Sequence, residues 1–210
     1  TDERGAASCD DGMDNDGDGR TDYRPGAGGD PGCSAASDND ERGMSACDDG
    51  IDNDTDGRTD YRVAAGAGDP GCTAPEDTNE RGTSLCDDGM DNDGDGRTDF
   101  RTGAGGDPGC SSPADTDERG TAACDDGIDN DTDGRIDFRS NGSGDVGCTG
   151  PDDTSESGGA ACDDGMDNDG DGRADFSAMP GVGDPGCSSL TDTTETGISF
   201  CDDGIDNDGD

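Results

Sequence analysis

Cys9-Asp-Asp-Gly-Met-Asp-Asn-Asp-Gly-Asp-Gly-Arg-Thr-Asp-Tyr23 decides how this chain is read. The stretch returns with few changes from Cys47, Cys86, Cys124, Cys162 and Cys201, at steps of 38, 39, 38, 38 and 39 residues. A constant period of this size marks a repeat architecture whose units contact mainly their neighbours. Repeats are expected at 9–46, 47–85, 86–123, 124–161 and 162–200. Residues 1–8 read as the tail of a preceding repeat and 201–210 as the start of a sixth, so the array is expected to continue beyond both ends.

Composition excludes an ordinary globular core. Leu, Ile, Val and Phe together number fourteen of 210 residues, and Trp is absent. That lies below the roughly 20% under which highly charged chains fail to fold on apolar burial alone. Covalent bonds and metal ions must replace the core if the chain folds. There are 56 acidic residues against 13 basic ones, all Arg, for a formal net charge of −43. Such a surface repels nucleic acid and anionic membranes and attracts cations. No apolar run is long enough to span a bilayer.

The acidic residues recur in register, which solvation does not require. Asp14, Asp16 and Asp18 alternate, Gly19 follows, and Asp22 comes three residues later. Carboxylates at loop positions 1, 3, 5 and 9 with Gly at 6 form a layout that wraps oxygen ligands around Ca²⁺. The expected ligands are Asp14, Asp16, Asp18, the Arg20 carbonyl and Asp22, at least one ion per repeat. The same roles fall on Asp52, Asp54, Asp56, Arg58 and Asp60; Asp91, Asp93, Asp95, Arg97 and Asp99; and Asp129, Asp131, Asp133, Arg135 and Asp137. They fall again on Asp167, Asp169, Asp171, Arg173 and Asp175, and on Asp206, Asp208 and Asp210. Position 12, where a bidentate Glu closes a helix-loop-helix site, is Pro25, Val63, Thr102, Ser140 or Ala178. Missing ligands are therefore sought at Asp10, Asp11 or Asp30, and a second ion per repeat would relieve the crowding of carboxylates.

After each loop comes an aromatic residue, a Gly- and Ala-rich connector, and Asp-Pro-Gly-Cys ending at Cys33, Cys72, Cys110 or Cys187; Val146 replaces Pro before Cys148. Pro-Gly predicts a type II turn. A 13-residue polar spacer follows, often containing Glu-Arg-Gly, as at Glu41–Gly43. Neither helical nor strand periodicity extends beyond two or three residues, so the fold class is irregular. The expected architecture is a solenoid-like array of loop modules with, at most, a short extended pair near Thr21–Tyr23. Met13, Met90 and Met166 alternate with Ile51 and Ile128, and Gly17, Gly94 and Gly170 with Thr55 and Thr132, as though the unit were a pair. These Met and Ile residues, with the loop aromatics, are expected to cover the disulfides as a miniature core. Arg24, Arg62, Arg101 and Arg139 are expected to pair with surplus carboxylates.

Asp-x-Asp-x-Asp-Gly-x-x-Asp with flanking cysteines resembles thrombospondin type 3 repeats. The bracketed form, Cys-Asp-Asp-Gly-Ile-Asp-Asn-Asp followed by Asp-Pro-Gly-Cys, resembles the Cys-bracketed calcium-binding repeats of bacterial surface and secreted proteins more closely. The resemblance covers about the first 25 residues of each repeat, Cys9 to Cys33 and equivalents, and leaves the spacers unexplained. It implies Ca²⁺-stabilised, disulfide-linked extracellular modules without enzymatic activity.

Eleven Cys without a single His argue against zinc and for disulfides in an oxidising compartment. Two pairings satisfy the spacing. Repeats can close on themselves (Cys9–Cys33, Cys47–Cys72, Cys86–Cys110, Cys124–Cys148, Cys162–Cys187), or the spacers can close (Cys33–Cys47 through Cys187–Cys201). The first brackets the metal loop and matches the resembling modules. The second has the more constant length, always 14 apart.

No nucleophile–base pair or phosphate-cradling loop is present, and no enzyme is expected. The expected function is an extracellular or cell-surface rod or filament that self-associates into a fibre. The alternative is a Ca²⁺-dependent adhesin or stalk whose spacers bind a receptor or polysaccharide. Spacer hydroxyls (Thr73, Thr78, Thr116, Thr149, Thr154, Thr191, Thr193, Thr194) are candidate O-glycan sites. Asn141, Asn53 and Asn130 fit N-glycosylation acceptors, the last two inside metal loops where a sugar fits poorly.

Overall fold

Forty glycines and no apolar period leave the backbone to turns, and turns are what the computed structural model contains. It describes residues 4–199, 202–205 and 207; Cys201, Asp206, Asp208 and Asp210 fall outside them. Among the described residues, regular structure is limited to 3₁₀ turns at Ser8–Asp10, Ala46–Asp48, Leu85–Asp87 and Ala123–Asp125, each carrying a bonded cysteine. No described residue lies in a strand. Where an extended pair was expected, a single backbone bond runs from the Tyr23 N–H to the Cys9 carbonyl at 2.9 Å, with counterparts at Tyr61, Phe100, Phe138 and Phe176. Two compact parts result, one of Thr1–Met90 with Thr98–Glu118, the other of Asp91–Arg97 with Arg119–Asp210.

The disulfides pair neighbouring cysteines: Cys9–Cys33, Cys47–Cys72, Cys86–Cys110, Cys124–Cys148 and Cys162–Cys187. Each closes 24 or 25 residues, which stabilises by about 3 kcal/mol through restriction of the unfolded chain. The constant spacer length has another cause. The spacer folds back over its own bracket, so that the Cys9 N–H reaches the Asp38 carbonyl at 3.1 Å and Cys47 reaches Asp77 in the same way. Hydroxyls at the spacer start pin the bend, Ser34 donating to Asp38 and Thr73 to Asp77, both at 2.7 Å.

The interior is not apolar. Among the described residues the buried side chains are cysteines, carboxylates and three spacer prolines, Pro75, Pro113 and Pro151, with Cys9, Cys47 and Cys86 at 0% exposure. The expected miniature core does not form: Met13, Ile51, Met90 and Ile128 are all 58% exposed.

The Asp-Pro-Gly-Cys bend is not a type II turn, because Gly32 and Gly71 lack the positive φ that such a turn demands of its third residue. Glycine is needed there for space. A Cβ on Gly71 would sit 1.5 Å from the Glu80 carbonyl oxygen, and one on Gly32 would sit 1.6 Å from that of Glu41.

Successive loops are joined through the position that lacks a ligand. Val63 N–H donates to the Gly17 carbonyl, Thr102 to Thr55, Ser140 to Gly94 and Ala178 to Thr132, at 3.0–3.1 Å. The backbone amide makes this bond whatever the side chain, and Ser140 adds a second one from its hydroxyl to the same Gly94 carbonyl at 3.2 Å. Arg62 and Arg139 lie near the carboxylates of Asp60 and Asp137, whose charged forms they favour, and their Nη1 atoms donate to the backbone carbonyls of Asp16 and Asp93 in the preceding loop. The Gly/Thr alternation leaves the backbone unchanged, since Gly17, Thr55, Gly94 and Thr132 have φ of 88°, 73°, 89° and 69°.

Replacing Gly71 by Ala is expected to destabilise by about 1–3 kcal/mol or more through overpacking. Gly103→Ala, with nothing within 4 Å, should be neutral or slightly stabilising. Thr55 holds a left-handed conformation that costs a β-branched residue about 1–2 kcal/mol, so Thr55→Gly should raise stability by about 1 kcal/mol. Chemical denaturation at fixed Ca²⁺ concentration measures all three.

Candidate metal centre

Each acidic loop is organised by its own backbone amides. Asp14 accepts from Gly17 and Gly19, at 2.7 and 3.1 Å. Asp16 Oδ1 accepts from the Asp18 N–H at 3.1 Å, and Asp18 Oδ1 from the Arg20 N–H at 2.6 Å. The Oδ2 atoms of Asp16 and Asp18 are buried and have no hydrogen-bond partner, as are those of Asp54 and Asp56.

Two further carboxylates complete the cluster. Asp30, of the Asp-Pro-Gly-Cys bend, anchors Oδ1 on the Gly32 N–H at 2.8 Å and leaves Oδ2 buried without a partner. Carboxylate oxygens of Asp16, Asp18 and Asp30 lie within 4.8 Å of one another, as do those of Asp14, Asp16 and Glu41. Glu41 comes from the spacer and is 2% exposed. It bridges both ends of the loop, accepting from the Asn15 N–H at 2.6 Å and the Asp22 N–H at 3.2 Å. Glu80 and Glu156 make the same pair of bonds, to Asn53 and Asp60 and to Asn130 and Asp137.

Of the residues expected as ligands, Asp52, Asp54 and Asp56 bring carboxylate oxygens within 4.8 Å of one another, while in the first loop Asp16 does so with Asp18 and Asp30 and separately with Asp14 and Glu41. Asp22 turns away: it adopts φ of 54°, and its Oδ1 accepts the Gly12 N–H at 2.9 Å. Asp60, Asp99 and Asp137 turn likewise, to Gly50, Gly89 and Gly127. Asp11 is also engaged locally, by the Met13 N–H. The buried glutamate was absent from the expected ligands, although it stands eight residues after the second cysteine in every spacer, even where Ser157 or Thr196 replaces the following Arg. Asn53 and Asn130 spend their side-chain amides on their own turns, whereas Asn141 is exposed. Cys33 adjoins Asp30 and Glu41, but its sulfur is committed to a disulfide. The donors are thus oxygen alone, which favours hard divalent cations over zinc or copper.

Three ionised carboxylates this close repel by roughly 3–4 kcal/mol per pair at an effective dielectric constant of about 20. Either protons or a cation must offset that. Burial, reinforced by the charges of Asp16, Asp18 and Glu41 and opposed by the Gly32 N–H, pushes Asp30 up to about 7. Burial, with Asp54, Asp56 and Glu80 nearby, likewise takes Asp69 to about 7. Glu41 and Glu80 are raised for the same first reason.

Comparison with known proteins finds no matching family model, no matching curated protein and no matching solved structure. The functional reading therefore rests on this geometry.

With cations removed, the folded clusters bind more protons than the unfolded chain between about pH 4 and 7, so stability should fall as pH rises through that window. The exposed aspartates held down by Ser or Thr hydroxyls, such as Asp38 and Asp77, act only below it. The metal-stripped chain should resist protease better at pH 5 than at pH 8. Saturating divalent cation should reverse the order, because acid then displaces the ion. Greater resistance at pH 8 without metal would show that the clusters do not govern stability.

Proposed function

We propose that the chain is an extracellular structural protein, a rod or filament of tandem repeats of about 38 residues rigidified by disulfides and Ca²⁺. The observation that carries this reading is the backbone bond from each loop to the one before it, Val63 to Gly17 and Thr102 to Thr55 in the first part, Ser140 to Gly94 and Ala178 to Thr132 in the second. It is made by a backbone amide at all four places, so it can be repeated along a solenoid-like array. Oxygen-only clusters with orphaned buried atoms support Ca²⁺ as the resident ion, and the resemblance to thrombospondin type 3 repeats points the same way.

The disulfides fit an oxidising compartment, and the proposal places the protein outside the cell or on its surface. No helix among the described residues is long and apolar enough to cross a membrane. The spacers are tied inward by Cys9-to-Asp38 and Ser34-to-Asp38 bonds, which favours a structural role over presentation of the spacers to a receptor. Exposed Asn141 is the acceptor best placed for a covalent glycan, and an intact mass equal to the bare polypeptide would exclude one.

Circular dichroism, limited proteolysis and negative-stain electron microscopy, with Ca²⁺ or excess chelator and disulfides intact, test the proposal. Uniform fibres and protease resistance are expected with Ca²⁺, with cleavage in the Asp loops after chelation. Indifference to chelator would defeat the calcium reading, and dispersed particles at every Ca²⁺ concentration would defeat the filament reading.

A further inference from the structure

The buried carboxylates of the first cluster do not all belong to the first repeat. Asp48 follows Cys47, the opening residue of the second repeat, and is 4% exposed. The Gly43 N–H holds its Oδ2 at 2.9 Å, and its own N–H is tied to the Ser45 carbonyl, which fixes the carboxylate within the 3₁₀ turn Ala46–Asp48. Its electrostatic neighbours are Asp16, Asp30 and Asp18, all of the preceding repeat.

The arrangement recurs. Asp87 faces Asp54 and Asp69, in direct contact with the Asp54 carboxyl, and Asp202 touches that of Asp169. Asp163 faces Asp131, Asp145 and Asp133. Two carboxyl groups meet this way only with a proton or a cation between them.

An acidic cluster alone would say little, but here buried atoms point to a ligand. Asp18 and Asp30 are each 5% exposed, and their Oδ2 atoms are buried without any partner. The first oxygen of each is already used by a local amide, so the second has no protein donor left to find. Glycine at 43 is what admits the incoming group, since a Cβ there would stand 2.6 Å from Asp48 Oδ2.

We infer that a divalent cation is shared between neighbouring repeats within each compact part, held by Asp16, Asp18, Asp30 and Glu41 of the first repeat and closed by Asp48 of the second, so that the ion is the joint between them. This rests on the calcium reading above and adds to it the identity of the closing ligand. It also assigns Asp48, Asp87, Asp163 and Asp202, each following the opening Cys of its repeat, to the site behind it rather than to its own loop. A tandem chain built this way stiffens when Ca²⁺ binds and becomes disulfide-closed beads on flexible spacers when it leaves.

The test compares the 210-residue chain with Asp48→Asn and Asp10→Asn variants, disulfides intact, by native mass spectrometry and calorimetry with Ca²⁺ and by trypsin cleavage at Arg42. Asp10 sits in the matching turn, with the Gly5 N–H on its Oδ2, but no Asp-x-Asp-x-Asp loop precedes it in this chain. Asp48→Asn should lose one bound ion, or weaken one site at least tenfold, and should speed cleavage at Arg42 about tenfold in Ca²⁺. Asp10→Asn should keep the full ion count. Wild-type ion binding with Asp48→Asn unchanged would overturn the shared site while leaving the calcium reading intact. Equal loss from both variants would overturn it too, as a fault of the turn itself. A wild-type chain that takes up no Ca²⁺ would remove the underlying reading and the inference with it.

Discussion

Carboxylate oxygens buried opposite one another are the constraint on which this structure depends. Asp16, Asp18 and Asp30 each spend one oxygen on a neighbouring amide and turn the other inward, where nothing in the chain can satisfy it. In a conventional domain such a group would be among the most destabilising features present. Here it recurs, in Asp54, Asp56 and Asp69 and again in Asp133 and Asp145. A feature that recurs in this way is the organising principle of the interior.

The remaining parts can be understood from that interior. The disulfide brings the acidic loop and the Asp-Pro-Gly-Cys bend together, so that Asp30 arrives beside Asp16 and Asp18. The spacer then returns across the bracket and inserts Glu41, whose two oxygens hold the amides at either end of the loop. The close passage of the Glu41 carbonyl over Gly32 explains why the residue before the second cysteine is glycine, while the residue before that tolerates Val146. Large apolar side chains have little part in this, and Met13 and Ile51 remain 58% exposed.

Charge of this kind makes stability conditional. A hydrophobic core is indifferent to modest changes in pH or ions, whereas a carboxylate cluster alternates between protonated, repelling and cation-bound states. A proposed extracellular rod gains from that dependence: divalent ions are abundant outside cells, and the chain would remain pliable until it reaches them. The disulfides limit how far the chain can unravel in the ion-free state, since each bracket of 24 or 25 residues stays closed.

Much of this was legible in the residues alone. Irregular backbone followed from forty glycines and the lack of any apolar period, and the alternation of Asp14, Asp16 and Asp18 before Gly19 marked the loop that carries the acidic cluster. The absence of an apolar core followed from fourteen large aliphatic and Phe residues, although placing Met13 over the disulfide did not. Local spacing encodes local turns. What the tertiary structure alone decided is everything that depends on chain return. Cysteine pairing had two solutions by spacing, of which closure around the acidic loop was the favoured one and is the one formed. Asp22 was misplaced because its left-handed backbone, not its position in a motif, directs its carboxylate to Gly12. Glu41 and Asp48 went unassigned because they lie 25 and 32 residues beyond Asp16, a separation at which no local periodicity operates. Sequence determines which groups are available, and only the folded path, set by the disulfide and the returning spacer, decides which of those charges meet.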